Sequence, residues 1–196
     1  RNRSGMLEPL PMKHVDTGMG FERLVRVLQK KQSNYDTDIF TGTISAIASI
    51  TVKSYTGSDT NKTEIAFCVI DVQIRAICFT IADGKLPSNT GAGYVIRRIL
   101  RRAVRYYYSY LGQQEPLLFQ LVAGLAEQFA KVFPELQRQE AFVARVIKEE
   151  EEAFLRTLDK GIKLFNEYVE REGKETSGKK NARTIDGKFA FKLNDT

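Results

Sequence analysis

The chain has 196 residues, 42% hydrophobic and 28% charged, and 30 Lys and Arg against 24 Asp and Glu leave a formal charge of +6. That length builds one domain or two small ones around a real core, and the composition excludes collagen-like, membrane and mainly disordered classes. No apolar run reaches the roughly 18 residues that cross a bilayer. The chain opens at Arg1 without an apolar leader, so no signal peptide is expected, and it reads as a piece cut from something longer.

Residues 6–15 are Pro-rich and extended, consistent with a strand. The motif Val15-Asp16-Thr17-Gly18-Met19-Gly20-Phe21-Glu22-Arg23 follows, and then a helix to about Lys30 with Leu24, Val27 and Leu28 on one face. Asp36 or Thr37 can cap a helix through Ile39, Ile44, Ile47 and Ile50. Residues 53–62 are a polar loop. Thr63–Ala82 is apolar at helical spacing, although rich in β-branched residues. Residues 82–93 are a Gly/Pro/Asn loop.

The net charge has an address. Residues 93–134 hold six basic and two acidic groups, and residues 135–196 hold thirteen of each. Most of the excess is Arg97, Arg98, Arg101, Arg102 and Arg105. At 100° per residue these fall within an arc of roughly 140°, opposite Ile96, Ile99, Leu100, Ala103 and Val104. A helix from Gly93 to about Tyr110 with an all-arginine face is expected. No acid lies between residues 84 and 114 to offset the repulsion. Guanidinium groups suit two-pronged phosphate contact, so the stripe points to a nucleic acid or another polyanion. A solvated basic face is the plainer reading.

Pro116–Phe133 is expected to be an apolar helix, and Pro134 can start the next. From Glu135 to about Glu172 a seam recurs at Val143, Ile147, Glu150, Phe154, Leu158, Gly161, Phe165 and Tyr168. It predicts one long helix, or two with a bend near Gly161. The run Glu149–Glu152 reads as a solvated, solubilising stretch. Residues 173–187 are a polar loop, and the last nine residues alternate or start a short helix. Cys68 and Cys78 lie in apolar runs and are expected to be free, buried thiols. With His14 as the single histidine, no zinc site is expected.

Gly18 and Gly20 let a backbone pass close to a ligand, and Arg23 at a helix start can reach a phosphate. A tight strand-to-helix turn accounts for the same pattern. No Gly-Lys-Ser/Thr occurs, so a Walker A loop is excluded.

The strings HVDTGMGFERL, SNYDTDIF, IADGKLPSN with GYVIRRILRRAVRY, and DGKFAFKLNDT together resemble the alanyl-tRNA synthetases, in the same order along essentially the whole chain. The resemblance implies a mainly α fold. Residues 1–32 would be the end of a class II aminoacylation domain, entered as strand, turn and helix. Residues 33–196 would be a helical tRNA-recognition domain, cut at its C-terminal end. It implies a ligase that activates alanine with ATP and Mg2+ and transfers it to tRNA-Ala in the cytoplasm. Arg23 matches the arginine that contacts ATP phosphates. Asp16 matches the carboxylate that holds the α-amino group of alanine, with Gly18 and Gly20 in the same wall. Asn89 and Asp195 match the pair that reads the G·U wobble pair of the acceptor stem, and the arginine stripe would grip its backbone. Zinc belongs to the family's editing domain, outside this chain, and neither a membrane nor a homo-oligomer is implied.

The chain departs from the family pattern in two places. Where a string like RVIADHIR is expected, it has Cys68-Val69-Ile70-Asp71-Val72-Gln73-Ile74-Arg75, and Ala92 stands where many members have Arg. No ligand contact is assigned to the replaced positions. Alternatives are a non-catalytic RNA- or protein-binding module of the same descent, and a helical scaffold pairing through the 143–168 seam.

Overall fold

The computed structural model describes residues 4–9, 11–12, 17–58, 60–175 and 185–194. Among them are eight α-helices and no strand, as a mainly α chain requires. Contacts divide the chain into residues 1–39 and 40–196, and each is described by itself.

In the first unit, residues 6–9 and 11–12 form no strand, and residues 10 and 13–15, the rest of that expectation, lie outside the described residues. Helix α1 (Phe21–Leu28) starts at Gly20 and buries none of its residues. Gln29 ends it two residues short of Lys30 and reaches forward: its Nε2 donates to Asp38 Oδ1 at 2.6 Å, and Asp38 N donates to its Oε1 at 3.3 Å. A 3-10 turn, Asn34–Asp36, stands between, with Ser33 Oγ accepting from Tyr35 N. Thr37 precedes the next helix as expected, but its hydroxyl donates back to Asn34 O at 2.6 Å.

Helix α2 (Asp38–Thr51) carries Phe40, Ile44 and Ile47 into the core of the second unit. Helix α3 (Lys62–Ala82) is capped by Asn61, whose Oδ1 accepts from Thr63 N at 2.9 Å. Glu64, in its first turn, folds the preceding loop down by accepting from Thr56 N and Gly57 N at 2.8 and 3.0 Å. Eleven of its residues are buried, including Phe67, Ile70, Ile74, Ile77 and Ile81. Helical burial decides against the β-branched propensity here. Contrary to the sequence expectation, α3 is long and apolar enough to cross a membrane. Half of that stretch is buried inside this unit, and Glu64, Asp71 and Arg75 are buried with it, which makes it a core helix.

Helix α4 (Gly91–Tyr106) packs along α3 and buries Ile96, Leu100, Ala103 and Val104. It widens into one π-helical turn, Tyr107–Leu111, and stops at Gly112, whose φ of 72° suits glycine. The helix expected over 116–133 forms only in part: Leu118–Leu121 is a 3-10 turn, followed by α5 (Val122–Phe129). Pro134 occupies the first turn of α6 (Pro134–Arg138), as expected. Gln139 then ties this corner to the end of α3, its Nε2 donating to Ala82 O at 2.8 Å.

Helix α7 (Glu140–Glu175) is one continuous helix of 36 residues, so Gly161 marks no break between two helices. Val143, Ile147 and Leu155 are buried. Two of the four glutamates expected to be solvated are not. Glu151 is fully buried, and Glu150 is paired and only 17% exposed. Helix α8 (Gly187–Asn194) returns to α7, stacking Phe189 on Tyr168 with ring centroids 3.9 Å apart. Cys78 is buried, Cys68 is partly so, and both thiols are free. Burial pushes the Cys78 thiol up to about 12.

Candidate functional site

The loop between α3 and α4 folds back on the start of α4. Ser88 N donates to Gly93 O at 3.0 Å, and Ser88 Oγ donates to Thr90 O at 2.9 Å. A Cβ on Gly93 would stand 2.5 Å from Leu86 O and 2.2 Å from Ser88 Oγ. Only glycine permits this approach. The loop thereby holds Asn89 exposed beside the first turns of α4.

The five arginines behave in three ways. Arg97 is spent inside the protein. Its Nε donates to Glu150 Oε2 at 3.0 Å, its Nη2 to Glu150 Oε1, and its Nη1 to Asn89 Oδ1. Arg101 is half-buried, with its guanidinium 5.1 Å from the Phe154 ring centre and an Nε that meets no acceptor among the described residues. Arg98, Arg102 and Arg105 are exposed and have no ion pair among the described residues. Arg102 and Arg105 flank Tyr106 at 5.9 and 5.6 Å from its ring centre. Tyr110 lies edge-on to Tyr106, and Lys62 sits 5.7 Å over Tyr110. No local acid offsets the stripe, but a distant one engages Arg97: Glu150 comes from α7, 53 residues away. What remains open is a narrower strip of three arginines, one lysine and two tyrosine rings.

Glycines 18 and 20 and Arg23 are exposed in the first unit. Gly20 caps α1 with φ −62°. A Cβ there would make only ordinary contacts with Arg23, and one on Gly18 would meet nothing within 4 Å. The fold itself leaves room for larger residues at both positions. Asp16 and Asp195 lie outside the described residues.

The model for the tRNA synthetases class II (A) matches residues 1–196. The chain belongs to the class II tRNA synthetase family. It is 58% identical over 196 residues to the alanine–tRNA ligase of Cytophaga hutchinsonii, covering all of this chain and 22% of that protein. It is 52% identical to that of Flavobacterium psychrophilum, again over all of this chain and 22% of the relative. With the Christiangramia forsetii enzyme it shares 52% identity, over 21% of that protein's length. The chain thus spans about 22% of the curated relatives it matches.

Against the synthetase pattern, the departures sit on α3 and just inside α4. Asp71 is fully buried, and among the described residues its carboxylate oxygens have no partner at hydrogen-bonding distance and angle. Burial pushes its carboxyl up to about 8, with the Arg75 charge and the nearby Thr43 hydroxyl opposing. Val72 is exposed, and Cys68 Sγ lies 3.5 Å from Tyr55 OH. Among the described residues no group of three His, Cys, Asp or Glu gathers to hold a metal ion.

Three features of the site escaped the sequence reading. Nothing in the sequence marks Gly93 as a point of close backbone approach, or Tyr106 and Tyr110 as the aromatic share of the strip. Glu150 did carry a signal: it is the one acid at a seam position otherwise apolar, which calls for a buried partner.

Proposed function

We propose that this chain is the acceptor-stem-binding part of an alanine–tRNA ligase. Its first 32 residues contribute one wall of the ATP and alanine site, and residues 33–196 form the helical tRNA-recognition domain. The observation that carries the reading is the open strip Arg98, Arg102 and Arg105 with Tyr106, on the helix whose first turns hold Asn89. Unpaired guanidinium groups bind phosphates without reading sequence, and a neighbouring amide supplies the base contact. The family match over the whole chain supports the same reading.

On this reading Arg23 holds the ATP phosphates and offsets charge as the alanine carboxylate attacks the α-phosphorus. Asp16 pairs with the alanine ammonium. Gly18 and Gly20, which the fold does not require to be glycine, leave the backbone open for the substrates. Asn89 and Asp195 read the G·U pair from the minor groove, where guanine presents its amino group. The enzyme works in the cytoplasm.

The test is binding of acceptor-stem duplexes, carrying G·U or G·C at the wobble position, to the natural protein that contains this chain. Asn89→Ala should remove the G·U preference. Equal loss of affinity for both duplexes would refute base reading by Asn89.

A further inference from the structure

Arg97 joins two side chains from distant elements. Its Nε and Nη2 hold both carboxylate oxygens of Glu150 on α7, and its Nη1 holds Asn89 Oδ1. We propose that Glu150 is a positioning residue for Asn89, acting through Arg97 to fix which edge of the amide faces the RNA. This rests on the reading of Asn89 given above.

The argument is one of donors and acceptors. A guanidinium has five N–H donors and no acceptor, so the Asn89 atom that meets it must be the oxygen. The amide orientation is thus set by chemistry and is not a free choice between two similar atoms. With Oδ1 turned inward, the outward edge is Nδ2, which only donates. Asn89 is then matched to an acceptor in the minor groove, such as a pyrimidine O2 or a ribose 2′-hydroxyl. An acceptor for the guanine amino group must come from another residue.

Glu150 makes this arrangement hold. A carboxylate receiving two parallel N–H groups gives the guanidinium one orientation. Glu150 is 17% exposed and Arg97 20%, so water competes weakly for the pair. The pairing also cancels the Arg97 charge, which keeps that side chain from turning to a phosphate. An exposed asparagine on a loop otherwise populates both amide orientations and must lose that freedom on binding. The acid at a seam position of α7 and the arginine spent inside the stripe then share one explanation.

The experiment uses the natural protein and reads the ratio of affinities for the G·U and G·C duplexes, with thermal melting as a check on folding. Glu150→Gln, nearly isosteric, should lower the ratio about fivefold or more, within the range for a single amide contact. Arg97→Lys, which keeps the charge but lacks the fork, should do the same. In an Asn89→Ala background, Glu150→Gln should change the ratio no further, because both act at one contact. A full ratio in Glu150→Gln and Arg97→Lys, with the ratio lost in Asn89→Ala, overturns the positioning role and leaves Asn89 as the reader. A ratio kept in Asn89→Ala removes both. A lowered melting temperature with an intact ratio makes Glu150 structural only and overturns the proposal.

Discussion

The Glu151 carboxylate on α7 accepts from the backbone N–H of Leu118 at 2.8 Å, across 33 residues of sequence. The same side chain takes Leu117 N at 2.9 Å, Phe119 N at 3.0 Å and the Tyr107 hydroxyl at 2.9 Å. Glu151 thus caps the 3-10 turn at Leu118 from another helix, supplying the acceptor that its own first residues lack. One carboxylate fixes the turn after α4, the end of α4 and the middle of α7. Its neighbour Glu150 fixes Arg97 at the other end of α4. Two adjacent glutamates therefore register α7 against the helix that carries the arginine strip.

Glu151→Ala should destabilise the protein by about 3 kcal/mol or more, because three backbone donors and a buried hydroxyl lose their acceptor together. Glu151→Gln should cost less but still about 1–3 kcal/mol, since its amide would set an N–H against a backbone donor. Urea unfolding of the two variants checks this. A loss under 0.5 kcal/mol for alanine would show the cap to be idle.

The elements legible in the sequence are those whose signal is local. Apolar spacing marks α3, α4 and α7, and Pro134 marks α6, because each depends on residues a turn apart. The helix expected over Pro116–Phe133 is absent from its first turns, where Leu118–Leu121 is a 3-10 turn and the N–H groups of Leu117, Leu118 and Phe119 go to Glu151. No property of residues 116–121 announces a partner on α7. The acidic run departs from expectation at Glu150 and Glu151 alone, for the same reason: they look solvated until tertiary packing brings Arg97 and Tyr107 against them. At the site, the periodicity of the arginines located the strip correctly. Which arginines stay open depends on Glu150 and Phe154, and neither is visible from α4.

Asp71 should make stability fall as the pH rises. Its carboxyl titrates near 4 when unfolded, and burial pushes it to about 8 in the fold. The native chain therefore holds an extra proton between those values. The contribution is fully present below about pH 4, is lost as the pH climbs toward 8, and is flat above, at up to about 1.4 kcal/mol per unit. Asp71→Asn should flatten that slope and melt higher than the parent at pH 8. Arg75 keeps its place over the Phe40 ring, 4.3 Å away. Parallel stability curves for the two proteins from pH 5 to 8 would sink this account.

The open arginines should differ from the engaged ones in their response to salt. Arg98→Gln, Arg102→Gln and Arg105→Gln should each weaken both acceptor-stem duplexes alike and lower the slope of log K against log salt by about 0.9. Arg101→Gln should leave that slope nearly unchanged and lower the melting temperature, because its guanidinium lies on Phe154 with a buried Nε. Titrations at several salt concentrations separate the two groups. A slope that drops as much for Arg101→Gln as for Arg102→Gln would contradict the division.

Gly93→Ala tests whether the loop geometry carries the base reading. The added methyl would stand 2.5 Å from Leu86 O, a backbone atom with no side-chain freedom to retreat. The Ser88 N to Gly93 O bond must then lengthen as the loop with Asn89 and the start of α4 move apart. A stability loss of about 1–3 kcal/mol is expected from the overpacking. The G·U preference should fall with it, whereas the salt slope, set by the exposed arginines further along α4, should persist. An alanine variant that keeps the full preference would show that Asn89 needs no such placement.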